Sequence, residues 1–136
     1  GTSGTLRARF ANISQLQLNT AVMGSNSVHL AGVDWVITIQ TKMEGQIKYL
    51  SAYLEITTKP FPENWSSSVY FTIKNFHHNS FEKPYSSSYS GVQFNKHRAS
   101  WGSHAFIKFE DLMKYDNNYA KDDSISMETE FTIFPS

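Results

Sequence analysis

Apolar and polar side chains alternate with a two-residue period along much of this chain, the mark of strands with one face buried. The clearest case is Trp35-Val36-Ile37-Thr38-Ile39-Gln40-Thr41-Lys42. Trp35, Ile37 and Ile39 point one way there, and Thr38, Gln40 and Lys42 the other. Tyr49 to Ile56 repeats the pattern, with Leu50, Ala52, Leu54 and Ile56 inward and Ser51, Tyr53 and Glu55 outward. Val69, Phe71 and Ile73 set the core face of a run from Val69 to Asn75. The longest alternation closes the chain, with Ile125, Met127, Thr129, Phe131 and Ile133 opposed to Ser126, Glu128, Glu130 and Thr132. Weaker patterns predict an edge strand over Leu6–Ile13, a short one at Val28–Leu30 ended by Gly32, and another near Tyr89–Phe94.

The period changes once. Ala105, Ile107 and Phe109 keep strand spacing after Trp101-Gly102, but Phe109, Leu112 and Met113 fall at i, i+3, i+4, one face of a helical turn. A large aromatic thus opens a strand, and a short helical turn near residues 109–115 leaves it. Gly45 marks a turn, and Pro60 and Pro62 end an element because proline cannot donate to a ladder. Gln15–Ser27 and Tyr115–Asp123 read as polar connectors, and Phe76–Ser90 as a mobile turn rich in Ser, Asn, His and Tyr. Seven to eight short strands and a single helical turn predict an all-β fold, an antiparallel β-sandwich. Its core is expected to contain Phe10, Trp35, Ile37, Ile39, Leu50, Leu54, Phe71, Ile73, Phe106, Ile107, Met127 and Phe131. Residues 1–5 are small and polar, the expected signature of a tag remnant or disordered end, which leaves residues 6–134 as one domain.

Charge and cysteine content narrow the function. The 136 residues carry 12 basic and 12 acidic side chains. That balance offers no electrostatic footprint for nucleic acid or for an anionic membrane surface. No apolar run approaches the roughly 20 residues that cross a bilayer. With no cysteine, the expected location is intracellular, cytoplasmic or nuclear.

Five blocks in a fixed order carry a family resemblance: Phe10-Ala11-Asn12-Ile13-Ser14-Gln15-Leu16, Trp35-Val36-Ile37-Thr38-Ile39, Tyr49-Leu50-Ser51-Ala52-Tyr53-Leu54, Val69-Tyr70-Phe71-Thr72-Ile73-Lys74-Asn75, and Trp101-Gly102 to Phe106-Ile107. Asp122-Asp123-Ser124-Ile125-Ser126-Met127-Glu128 completes the set. Over roughly residues 6 to 134 the chain resembles the MATH domain (meprin and TRAF homology), and is similar to those of MATH-BTB ubiquitin-ligase adaptors. The resemblance implies a TRAF-like eight-stranded sandwich that binds short extended peptides in a shallow groove. It implies protein or peptide partners, and ubiquitin-ligase components reached through domains outside this chain. Carried across by position, the peptide-binding residues are Tyr53, Val69, Ser100, Trp101, Gly102 and Ser103. Relatives that read serine-rich degrons carry an acid and an aromatic where Ser100 and Ser103 stand, and basic residues where Ala99 and His104 stand. That specificity is therefore not expected here. The isolated domain is expected to be a monomer, a binding module rather than an enzyme, with no cofactor.

Other chemistry finds less support. His77 and His78 on a strand would face opposite sides, and no Cys accompanies the five histidines, so no metal site is expected. Ser103, His104 and Asp111 hold the atoms of a catalytic triad without a nucleophile elbow. Asp116, Asp122 and Asp123 miss the spacing of the known calcium loop. Asn12-Ile13-Ser14 and Asn64-Trp65-Ser66 are glycosylation sequons, relevant only on export. The alternative function is a sandwich that binds carbohydrate or another small ligand through loop aromatics and hydroxyls such as Ser86–Ser90.

Overall fold

A computed structural model describes residues 1–78 and 82–136. Its strands are β1 (Thr2–Phe10), β2 (Val22–Met23), β3 (Val28–Leu30), β4 (Val33–Glu44), β5 (Ile47–Ile56), β6 (Ser66–Asn75), β7 (Tyr85–Asn95), β8 (Ser100–Lys108) and β9 (Ile125–Pro135). One short helix, α1, spans Phe109–Met113 where the period changed, and single 3-10 turns lie at Ile13–Gln15 and Tyr115–Asn117. Two antiparallel sheets result. One has the order β1-β9-β6-β7; the other has the order β2-β4-β5-β8, with β3 also paired to β4.

The sheets bury the faces that the alternation marked. All twelve expected core residues are buried, Trp35, Ile37, Ile39, Leu50, Leu54 and Ile73 completely. Trp35 is the hub. Its ring meets Trp65, Phe94 and Phe131 at centroid distances of 6.0, 5.3 and 5.2 Å. Its Nε1 donates to the Leu30 carbonyl at 3.0 Å, so the polar handle of the indole is satisfied inside the core.

Three expectations need correction. Residues 2–5 are not a disordered end, because β1 starts at Thr2 and pairs with β9 in unbroken register from Thr2↔Ile133 to Phe10↔Ile125. Without an apolar alternation, and with Gly4 among them, these residues give little sequence signal for a strand, but a registered neighbour supplies the hydrogen bonds. The connector Gln15–Ser27 holds β2, placed by Val22↔Ile39 and Met23↔Thr38. Ser86–Ser90 belong to β7 rather than to a loop, paired with β6 through Phe71↔Tyr89, Thr72↔Ser88 and Lys74↔Ser86. The mobile turn expected before that strand falls partly on residues 79–81, outside the described residues.

The outer face of the four-stranded sheet carries two cross-strand ion pairs, Arg7 Nε with Glu128 Oε2 at 2.8 Å and Lys74 Nζ with Glu130 Oε1 at 3.1 Å. The Lys74 ammonium, by hydrogen bond and charge, holds the Glu130 carboxyl below its ordinary value. A depressed carboxylate stabilises the fold above its unfolded-state value and loses that contribution as pH falls through the depressed one. Solvent screening keeps the contribution small. Lys74→Met is expected to raise the Glu130 pKa toward the ordinary carboxylate range. A carboxyl-resolved NMR titration checks this, and an unchanged midpoint would remove Lys74 as the cause.

Candidate functional site

β7 ends one sheet and β8 ends the other. Both edge strands run along the same corner of the sandwich, and side chains bridge them there. Trp101 Nε1 donates to the Gln93 carbonyl at 2.8 Å, and the Tyr89 and Ser103 hydroxyls are hydrogen-bonded to each other. Tyr89 also stacks on Phe71, with centroids 4.6 Å apart and planes 17° from parallel. The floor of the corner is therefore fixed to the core.

Register decides which way each candidate points, because residues directly opposite across an antiparallel pair share a face. Leu54↔Trp101 and Ala52↔Ser103 put Trp101 and Ser103 on the inward side, at the rim between the sheets. Tyr53↔Gly102 and Glu55↔Ser100 put those residues on the outward side of the five-stranded sheet. All of these side chains except Gly102, which has none, are half-buried apart from the covered Leu54 and Ala52. The corner thus shows two faces of one strand, joined over its edge.

Gly102 is what permits this. A Cβ at Gly102 would stand 2.0 Å from the Ala52 carbonyl oxygen and 2.7 Å from Tyr53 Cα. Backbone of β5 fills the space that a side chain would need, so Gly102 answers a close approach within the sheet. Beyond it β8 bulges. Three residues between Ser103 and Ile107 pass the single residue Ser51 between Ala52 and Leu50, and the Ser51 hydroxyl donates to the His104 carbonyl at 2.5 Å. The bulge re-aims a side chain. His104 Nδ1 lies 2.5 Å from Tyr53 Oη, with the rings edge-on at 5.6 Å, and Gln40 Nε2 donates to the same hydroxyl at 3.4 Å.

Of the six residues inferred by position, the structure brings Tyr53, Ser100, Trp101, Gly102 and Ser103 together. Val69 is not among them. It lies on β6, the third strand of its sheet, fully buried and paired with both Val92 and Ile133. Odd-numbered residues of β6 face the opposite sheet, so position 69 has no route to the surface. Sequence reading also missed three contributors. Arg98 lays its guanidinium 3.5 Å over the Trp101 ring, Tyr89 holds Ser103, and His104 holds Tyr53. Only the nearness of Arg98 to Trp101 in sequence hinted at such contacts. Two of the triad's groups are engaged elsewhere, the Ser103 hydroxyl with Tyr89 and His104 Nδ1 with Tyr53, and Asp111 lies on α1. Among the described residues no three His, Asp or Glu side chains converge as a metal would need.

A sandwich with this sheet order, and blocks of sequence spread along its length, can be compared with known families. The sequence profile of the MATH domain matches residues 8–131. The chain belongs to the MATH domain family. MATH domains are protein-interaction modules rather than enzymes. In three dimensions this MATH domain is similar to TRAF5 of Notothenia coriiceps, with a TM-score of 0.63 and 12% identity, over 95% of this chain and 73% of that one. At that identity the likeness concerns the TRAF-like fold. No curated protein matches this chain by sequence. Among its described residues, no helix is long and apolar enough to cross a membrane.

Proposed function

We propose that this MATH domain binds a short extended segment of a partner protein along the corner where β7 and β8 end their sheets. The observation that carries the reading is the pairing of two sheet-edge strands with amphipathic rings, Tyr53 on one side of β8 and Trp101 on the other. A free edge offers unpaired backbone donors and acceptors to an added strand, and side chains beside it select the sequence. Tyr and Trp combine large contact area with a polar tip. Arg98 on the Trp101 face and His104 against Tyr53 hold the rings in place. Joined to a BTB domain within a longer protein, the same contact recruits substrates to a cullin-based ubiquitin ligase, which places the protein in the cytoplasm or nucleus.

Amide chemical-shift mapping of the labelled domain against a library of extended peptides tests this. Hits are expected to move resonances of β7, β8 and Tyr53. Tyr53→Ala is expected to weaken the best hit by about 2 kcal/mol, the loss typical of a hot-spot aromatic, without changing the melting temperature. Shifts confined to the Asp116–Asp123 segment would overturn the proposal.

A further inference from the structure

The outer face of the four-stranded sheet is paved with hydroxyls. In register across it run Thr5, Glu130, Thr72 and Ser88, flanked by the row Ser3, Thr132 and Tyr70. Ser3 Oγ lies 2.8 Å from Thr132 Oγ1, and Thr72 Oγ1 lies 2.8 Å from Ser88 Oγ. These groups line a hollow of about 550 Å³. At Tyr70 it continues into a second hollow of about 480 Å³, between Ser68, Tyr70, Thr132 and Phe134. Tyr70 and Phe134 are 48% and 43% exposed and stand edge to face, centroids 5.7 Å apart at 86°. β7 is bulged beside them, and Gly91 there has φ +63°; a Cβ at that position would lie 3.2 Å from Tyr70 Oη. The bulge leaves the tyrosine hydroxyl room at the wall.

Charge decides what such a surface accepts. Glu130 alone brings a carboxylate to the hollow, and Lys74 neutralises it at 3.1 Å; in the next row Arg7 does the same for Glu128. Among the described residues no free cation lines the hollow to hold a polyanion. Two exposed rings amid hydroxyls fall short of the contiguous apolar patch that marks a protein-binding face. What remains complementary is a neutral molecule carrying an apolar ring face and many hydroxyls. Ser and Thr side chains both donate and accept, as sugar hydroxyls do, and a tyrosine ring covers apolar C–H groups.

We propose that this face binds a neutral carbohydrate chain, one sugar ring lying on Tyr70 and the next hydrogen-bonded by Thr72, Ser88 and Thr132. The site is separate from the β7–β8 corner and stands or falls independently of peptide binding there.

The test titrates labelled protein with cellohexaose, maltoheptaose and a heparin hexasaccharide, reading amide shifts. At least one neutral glucan is expected to move Ser3, Tyr70, Thr72, Ser88 and Thr132 while heparin moves none. Tyr70→Ala is expected to weaken binding about tenfold, as truncating a central aromatic does. Tyr70→Phe, which keeps the ring and the fold, is expected to retain it, and Thr72→Val to weaken it about threefold, in line with one lost hydrogen bond. Tyr53→Ala is expected to leave it unchanged. Silence of these amides toward both glucans, a response to heparin alone, binding that survives Tyr70→Ala, or concentration-dependent self-association through this face would each overturn the proposal.

Discussion

Phe131→Ala is expected to lower the unfolding free energy by about 3–5 kcal/mol, the range for deleting a buried aromatic ring. Phe131 is 2% exposed, sits opposite Phe71 on the neighbouring strand, and lies 5.2 Å from the Trp35 ring. Both sheets contribute to the cage around it, and paired strands on either side restrict how far that cage can collapse. The loss is a large share of the roughly 5–15 kcal/mol that holds such a domain folded. Gln46→Ala, at the exposed tip between β4 and β5, is expected to stay within about 0.5 kcal/mol of wild type. Denaturant midpoints at constant slope measure both. Equal midpoints for the two variants would mean that residue 131 is not in the core.

Gly102→Val is expected to cost about 3 kcal/mol or more, at or above the usual range for overpacking. The added Cβ meets the Ala52 carbonyl and the Tyr53 Cα rather than the far end of a flexible side chain. Relief requires β8 to separate from β5, opening the ladder that holds Tyr53 and Trp101 in place. Stability and peptide binding should therefore fall together, whereas Tyr53→Ala should lose binding alone. Thermal midpoints together with amide exchange along β8 separate the two cases. A Gly102→Val protein that melts like wild type would sink the clash argument.

Gly102 also shows what the sequence could and could not disclose. A Trp-Gly pair at a strand opening marks close backbone approach, but not whether the approaching chain is a ligand or the next strand. Here it is β5. Burial was legible where apolar residues alternate, as in β4 and β9, because parity alone assigns the face. Edges were not. Thr2–Thr5 and Ser86–Ser90 lack an apolar alternation and become strands because β9 and β6 offer registered partners. Val69 was placed on the surface by position in a family pattern, although its own alternation with Phe71 and Ile73 already put it inside. The corner's supporting contacts, Arg98 on Trp101 and Tyr89 on Ser103, join residues of different strands or turns, and spacing along one strand carries no trace of them.

The pairing of β1 with β9 also bears on how the chain is made. Within the domain the first strand hydrogen-bonds to the last, so that ladder cannot form until residues 125–135 have left the ribosome. β9 is also the missing neighbour of β6, which leaves a second edge unsatisfied until residues 125–135 emerge. Long-range pairing of this kind slows folding, and unpaired edges invite association with other chains. A nascent chain released before residue 125 would expose the inner faces of β1 and β6, Leu6, Phe10, Val69 and Phe71 among them. The domain's folding yield is therefore expected to depend on how long those two strands are kept apart from other chains.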